Sequence, residues 1–433
     1  MLHRVSGARK TITSVRILFL SHYFPPEVNA PASRTYEHGR AWVAHGHEVA
    51  VLTCVPNHPT GRIFEGYRNG FLQRDSRSGI RVYRMWTFLA PNKGFLRRTL
   101  NYSFYLVMAT LVAPFLPRTD VVVSTSPQFF CGLAGYLVSR LKRVPWVLEI
   151  RDIWPESIVA VGAMKKSVWI RFLEWLESFA YRKADHIVSV TDSFCSHIEA
   201  RGGRPEKISI IKNGVDLAFF SPAQGASDVA EELGLSRRFV VSYVGTHGVS
   251  HGLETVLEAA QLLRNQPEIA FLLVGDGARR EALLRRRDEL QLTNVIMLGQ
   301  QPKVRMPGIW AATAVSLVLL RDQPLFRSVI PSKIVESMAM QKPVILGVRG
   351  ESQALVEASG AGLCIAPENA AELARAVREL WADPERRAAM GQAGRDWVEK
   401  NADRSRLAQR YEDVLAAVIA QHQRIPVRDN SEP

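Results

Sequence analysis

Short apolar, β-branched runs recur through the first half of the chain: RILFL from Arg16, EVAVLT from Glu48, IRVYR from Ile80, DVVVST from Asp120, PWVLEI from Pro145 and HIVSV from His186. Stretches with helical spacing separate most of them. Alternation of strand and helix is the signature of parallel βαβ units, so residues 15–215 are expected to form one doubly wound α/β domain. Beyond the Asn213-Gly214 turn and the SPAQGAS stretch a second series begins, FVVSYV, AFLLV, NVIML, AVSLVLL and PVILGV. It predicts a second Rossmann-like domain over 216–400, followed by helices at Pro384–Lys400 and Arg404–Gln421. Residues 1–14 and the polar tail 423–433 read as loose ends. Two such domains in series place a ligand cleft between the carboxyl ends of their strands, and function is to be sought in the loops there.

A chain of 433 residues has room for two or three domains, and with 47% hydrophobic and 22% charged residues it is globular. Cys54, Cys131, Cys195 and Cys364 lie far apart with no CxxC pair, which argues against a zinc cluster or disulfide framework and fits a reducing cytosol. The net charge of +13 is concentrated: nine Lys or Arg lie between Gly61 and Leu100 against Glu65 and Asp75. Such a patch attracts nucleic acid, an anionic membrane or a phosphorylated ligand, or is merely solvated. No aromatic-basic motif supports nucleic acid. The first residues lack the apolar run of a secretory signal. Thr99–Pro117 is uncharged and membrane-length, but Asn101, Ser103, Thr110 and two prolines favour a buried or surface-lying helix over a span. A second apolar helix, Met164–Ala184, carries Trp169, Phe172, Trp175, Leu176 and Phe179 between basic ends; core packing is favoured there over an interfacial role.

Three loops carry candidate chemistry. FVVSYV ends in Gly245-Thr246-His247-Gly248-Val249-Ser250-His251-Gly252 before a helix, where glycines let backbone N–H groups approach a diphosphate, or simply make a tight turn. AFLLV ends in Gly275-Asp276-Gly277, an incomplete dinucleotide fingerprint with Arg280 where its third glycine belongs. The third loop gives way at Pro331-Ser332 to a short apolar helix with Lys333 and Glu336 three positions apart on one face. An ammonium for phosphates and a carboxylate for both ribose hydroxyls is what a nucleotide diphosphate sugar needs; an ordinary surface ion pair has the same spacing. No Asp-x-Asp triplet is present to hold a metal on donor phosphates, so no metal is expected.

Taken together, the Gly245–Gly252 loop, the VGDG turn and PSKIVESMAMQKPVI resemble the family-four retaining glycosyltransferases of the GT-B fold. The opening His22-Tyr23-Phe24-Pro25-Pro26-Glu27 with Arg34, the His45–Val49 segment, Arg151-Asp152-Ile153-Trp154-Pro155-Glu156 and Asn213–Asp216 are similar to that family too. The closest likeness is to the branch that adds N-acetyl-fucosamine-type sugars in surface polysaccharide (O-antigen, capsule, colanic acid) assembly. The resemblance implies an N-terminal acceptor domain, a C-terminal donor domain, and a helix at 401–422 packing back on the former. It implies transfer, with retention, from a UDP sugar to a polyprenyl-diphosphate-linked sugar at the cytoplasmic membrane face, with no cofactor beyond that co-substrate. Donor contacts are then expected from Gly245, Thr246, His247, His251, Gly252, Gly275, Gly277, Ser328, Pro331, Ser332, Lys333, Ile334 and Glu336. Acceptor contacts are expected from Pro26, Glu27, Asn29, Arg34, Arg151 and Asp152, with Lys333, Glu336 and Asp152 as the catalytic set.

Departures from the family pattern matter. The first acid of its E-x7-E pair is Ser328 here, the usual lysine of the phosphate loop is His251, and Asn29-Ala30-Pro31-Ala32 replaces paired glycines. Lys333 is then the chief phosphate cation, with Arg321 and Arg327 in reserve. Two rivals remain: a non-hydrolysing nucleotide-sugar epimerase, which needs no acceptor, and a silent partner subunit that binds nucleotide without turnover.

Overall fold

The computed structural model describes residues 14–58, 60–89, 95–126, 128–156, 167–224 and 229–424. The expected loose ends at 1–13 and 425–433 lie outside these. The N-terminal sheet comprises β1 (Arg16–Leu20), β2 (Glu48–Cys54), β3 (Leu72–Arg77), β4 (Ile80–Met85), β5 (Val121–Thr125), β6 (Trp146–Ile150), β7 (His186–Ser189) and β8 (Ile208–Ile210), in the order β3-β4-β2-β1-β5-β6-β7-β8. Neighbours are parallel except β3, which is antiparallel to β4. Its central strands are apolar throughout because helices cover both faces. On one face lie α2 (Phe95–Val112), α3 (Phe129–Lys142), α4 (Val168–Lys183) and α5 (Ser193–Ala200). On the other lies α1 (Ala30–Ala44).

The C-terminal sheet, all parallel, has the order β11-β10-β9-β12-β13-β14, built from β9 (Phe239–Val244), β10 (Ile269–Val274), β11 (Val295–Leu298), β12 (Val315–Leu319), β13 (Val344–Gly347) and β14 (Gly362–Cys364). Its helices are α6 (Val229–Glu232), α7 (Glu254–Leu262), α8 (Arg280–Glu289), α9 (Met306–Ala312), α10 (Lys333–Ala339), α11 (Glu351–Ser359), α12 (Ala370–Ala382) and α13 (Pro384–Asn401).

The chain then returns through α14 (Arg404–Arg424), whose Leu407, Ala408, Tyr411, Leu415 and Val418 join the core on the α1 face of the N-terminal sheet. There the Trp42 indole donates to the Ala408 carbonyl at 3.2 Å, and His45 meets Glu412 at 2.6 Å. The two interdomain crossings run side by side: Val215 N–H donates to Ala402 O at 2.9 Å and Arg404 N–H to Val215 O at 3.1 Å. This fixes the hinge end of the cleft.

Two apolar segments behave differently from a core helix. No helix among the described residues is long and apolar enough to cross a membrane. Within Thr99–Pro117, Tyr105, Met108, Ala109 and Val112 pack inward while a second stripe faces out. The favoured core role holds for Leu176 and Phe179 of α4, which pack against the core, and is overturned for Trp169, Phe172 and Trp175. Ile170, Leu173, Ala180 and Tyr181 fill the core, which leaves Phe172 and Trp175, on the opposite side of a helix of 3.6 residues per turn, exposed, and Trp169, in its first turn, is exposed as well.

Candidate functional site

The loop after β9, the turn after β10 and the start of α10 meet at the carboxyl edge of the C-terminal sheet. Gly245 and Gly275 are required by close approach: a Cβ on Gly275 would sit 1.9 Å from the Gly245 carbonyl oxygen, and one on Gly245 would sit 2.9 Å from Lys333 Nζ. His247 N–H donates to the Asp276 carbonyl and Arg279 N–H to the His247 carbonyl, each at 2.9 Å, which sews the two loops together. Gly275 and Gly277, expected at the donor, thus support the Gly245–His247 loop from behind. Thr246 stands exposed at the mouth, and Gly252 takes a left-handed turn (φ +55°) leading into α7.

Lys333 is the centre of this arrangement. Its Nζ lies 3.7 Å from the centroid of the Tyr243 ring, buried and without a hydrogen-bond partner. Burial pushes the ammonium down to about 7, against the pull of Glu336. A buried cation held by an aromatic face and glycine backbone alone lacks an anion, and orphaned buried polar atoms call for an explanation. The buried ring nitrogens of His247 lack hydrogen-bond partners as well. Burial lowers His247 to about 4 and His251 to about 3, so both are neutral at pH 7, beside the cations of Lys333 and Arg280.

Glu336, one turn along, is raised to about 7 by burial and by Glu37, against Lys303, Arg404 and Lys333. Glu37 comes from α1 of the opposite domain, where it pairs with both Lys303 and Arg404. An ion-paired hub therefore joins the two domains beside the carboxylate. Of the other donor candidates, Ser328 turns its hydroxyl to the Leu325 carbonyl at 2.7 Å within a 3-10 turn, Pro331 and Ser332 cap α10 through their carbonyls, and Ile334 is wholly buried in the core. The Ile334 side chain thus faces away from any ligand. Behind this segment, Ser352 donates to Val329 O at 2.5 Å, and the neighbouring Glu351 carboxylate accepts from Asp192 N–H (3.1 Å), Ser193 N–H (3.0 Å) and the Ser193 hydroxyl (2.6 Å). A C-terminal-domain side chain thereby ties the segment behind α10 to the start of α5 across the cleft.

The facing residues divide into braces and open groups. Glu27 is buried, raised to about 7 by burial, and accepts from the N–H groups of Phe24, Asn57 and His58. Arg34 is buried against Glu149 at 3.0 Å and donates to the carbonyls of Ile211 and Lys212. Asn29 caps α1 by accepting from Ala32 N–H at 2.9 Å. Glu27 and Arg34, expected as acceptor contacts, instead hold loops in place, because their polar atoms are used within the protein; Asn29, expected there too, uses its Oδ1 in the cap and leaves its Nδ2 buried without a partner. Pro26 is partly exposed in the loop after β1. Arg151 differs: its Nε and Nη1 are buried and orphaned, and burial lowers it to about 10. Asp152 lines a cavity of about 20 Å³ with Phe129, Trp154, Glu177 and Tyr181.

Residues 29–214 match the Glycosyl transferase 4-like domain, and residues 228–397 match Glycosyl transferases group 1. The two matches together span most of the chain and meet at the cleft. The chain belongs to the family-four glycosyltransferases. This family-four chain is 22% identical over 408 residues to WcaI of Escherichia coli K12, named for a glycosyl transferase role in colanic acid biosynthesis, covering 92% of this chain and 98% of that one. It is 31% identical over 172 residues (37% of this chain, 41% of the relative) to an Escherichia coli UDP-Gal:alpha-D-GlcNAc-diphosphoundecaprenol alpha-1,3-galactosyltransferase. Among solved structures it is similar to Anabaena Alr3699/HepE in complex with UDP and glucose, with a TM-score of 0.71 and 19% identity over 93% of this chain and all of that one. The GT-B fold follows from such likenesses.

For this glycosyltransferase, sequence reasoning missed Tyr243, Glu37, Lys303, Arg404 and Glu351. Arg34, Glu37 and His38 form a polar stripe on the buried face of α1, an interruption of its amphipathic pattern that was visible in the sequence. Lys303, Arg404 and Glu351 gain their meaning only from the apposition of two domains.

Proposed function

We propose that this enzyme transfers a sugar from a UDP donor, with retention at the anomeric carbon, to a polyprenyl-diphosphate-linked sugar during bacterial surface polysaccharide assembly, at the cytoplasmic membrane face. The observation that carries this reading is the buried, orphaned Lys333 ammonium against Gly245, with Glu336 one turn away. In this scheme the acceptor hydroxyl forms its bond to the anomeric carbon on the face from which UDP departs. Lys333 and the Gly245 loop stabilise the charge growing on the diphosphate, and Glu336 accepts from the ribose hydroxyls. Asp152 orients the acceptor hydroxyl or assists its deprotonation, beside Arg151. The scheme needs no side-chain nucleophile, metal or cofactor. The polyprenyl acceptor and polysaccharide role are supported by the names of the two Escherichia coli relatives, and UDP by the Anabaena complex.

The test is UDP release from a panel of UDP sugars, N-acetylated and deoxy sugars included, with and without a lipid extract. Acceptor-dependent release from one donor is expected. Binding of UDP with no release from any donor would refute the reading in favour of a silent subunit.

A further inference from the structure

The outer surface of the N-terminal domain carries two apolar ridges that the transfer chemistry does not use. Along α2 and the 3-10 turn that follows it, Leu100, Phe104, Val107, Leu111 and Phe115 recur at helical spacing and all face solvent, Leu111 at 55% and Phe115 at 60% exposure. Phe71, itself exposed, packs edge-on against Phe115 at 6.4 Å. On α4, Trp169 (70% exposed), Phe172 and Trp175 (56%) form a line of rings that continues through Phe179 to Tyr136 of α3, with successive centroids 5.2 to 6.4 Å apart. The two helices flank α3 in one layer, so the ridges share a face. Large exposed aromatic surfaces on soluble folds are unusual and mark an interface.

Charge selects the occupant. The sequences of α2 and α3 contain no Asp or Glu, and α4 contains Glu174 and Glu177. Glu174 pairs with Arg201, and Glu177 is buried against Tyr181 and His197. Arg97, Arg98, Arg140, Lys142, Arg171, Arg182 and Lys183 belong to the same helices, seven cations against Glu174, Glu177 and Asp185, the last just past α4 and paired with Arg140, a formal +4. Trp and Phe ridges bordered by Arg and Lys are the chemistry of an interfacial surface on anionic lipid. The same charge repels a second copy of this face.

We propose that this face docks flat on an anionic phospholipid bilayer, with the α2 and α4 ridges in the headgroup layer and the cleft opening at its edge. Trp154, near Asp152, stacks on Phe129 of α3 at 4.5 Å, and the Asp152 cavity lies between α3, α4 and β6. The docked face thus continues directly into the acceptor side of the cleft. The choice of lipid over another partner rests in part on the polyprenyl-acceptor reading.

The test uses the full chain in co-sedimentation with vesicles of phosphatidylglycerol and phosphatidylcholine, or of phosphatidylcholine alone, at low and high salt. Two variants, Trp169→Ser/Phe172→Ser/Trp175→Ser and Val107→Asn/Leu111→Asn, are compared with wild type. Wild type should bind the anionic vesicles, with partitioning that weakens in salt, and each variant should lose about tenfold or more. Both variants should keep the wild-type melting temperature and UDP affinity, since the altered side chains leave the core and the donor site intact. Failure of wild type to bind, or binding by both variants at wild-type strength, would overturn the proposal. So would a dimer that the variants dissociate. Should a variant unfold, blue-shifted tryptophan emission and its quenching by brominated lipid in wild type decide the matter, absence of both refuting docking. Vesicle binding by a protein that releases no UDP would leave the docking face standing and refute the transfer reading instead.

Discussion

Replacing Lys333 with Met should make the protein more stable and the enzyme inactive. The ammonium is pushed from 10.5 to about 7 because its Nζ is buried without an acceptor. A lysine that loses its proton near pH 7 in the folded chain but near 10.5 when unfolded opposes folding at pH 7 by at most about 4 kcal/mol. Methionine keeps the stem and a favourable sulfur contact with Tyr243 while removing the charge. Glu336 retains Lys303 and Arg404 as counter-charges. A net gain of about 1 to 3 kcal/mol is expected, or roughly 2 to 9 °C for the C-terminal domain. The sign with pH follows from the lowered value. The penalty is complete below about pH 7, shrinks as pH rises, and vanishes above 10.5, where both states are neutral. Scanning calorimetry of the Lys333→Met protein from pH 6 to 10 should show its advantage narrowing over that window. UDP titrations should show affinity down by tenfold or more, with turnover reduced further because the leaving group gains charge in the transition state. A variant that melts below wild type at pH 7, or binds UDP as wild type does, would refute the assignment of Lys333 as the waiting phosphate cation.

Glu336→Ala removes charge-assisted hydrogen bonds of roughly 1.5 to 3 kcal/mol each, so UDP affinity measured by calorimetry should fall by ten- to a hundredfold or more. Arg34→Ala leaves Glu149 buried and unpaired, and chemical denaturation should show a loss of about 3 to 5 kcal/mol; a rise in acceptor KM without destabilisation would return Arg34 to the acceptor. Glu351→Ala frees three donors on α5, and small-angle scattering should show a more open molecule, with a several-fold higher donor KM and little change in domain stability; identical scattering and KM would remove the tie from the account.

The long apolar strands were legible because burial on both faces leaves them no polar positions to confuse the pattern, as in FVVSYV and DVVVST. Others were not. β3 reads LQRDSR, a polar edge strand held by its hairpin to β4, while β8 and β14 are three residues each, too short for a period to show. The Lys333–Glu336 spacing could be read from the sequence, as could the glycines, but not that Gly275 lies against the Gly245 carbonyl. Glu27 and Arg34 fell in a recognisable motif, yet their polar atoms turn out to be consumed by backbone groups and Glu149. Hydrophobicity alone predicted core for Phe172 and Trp175; helix phase, fixed by Ile170, Leu173 and Ala180, turned them outward.

The central claim, that this cleft moves a sugar from UDP to a lipid-linked acceptor, is tested most directly by the mass of the recovered acceptor lipid after incubation with each UDP sugar. The account expects a gain of one sugar residue from one donor, with wild type but not with Lys333→Met. An unchanged acceptor lipid alongside a UDP sugar converted to its epimer would contradict it.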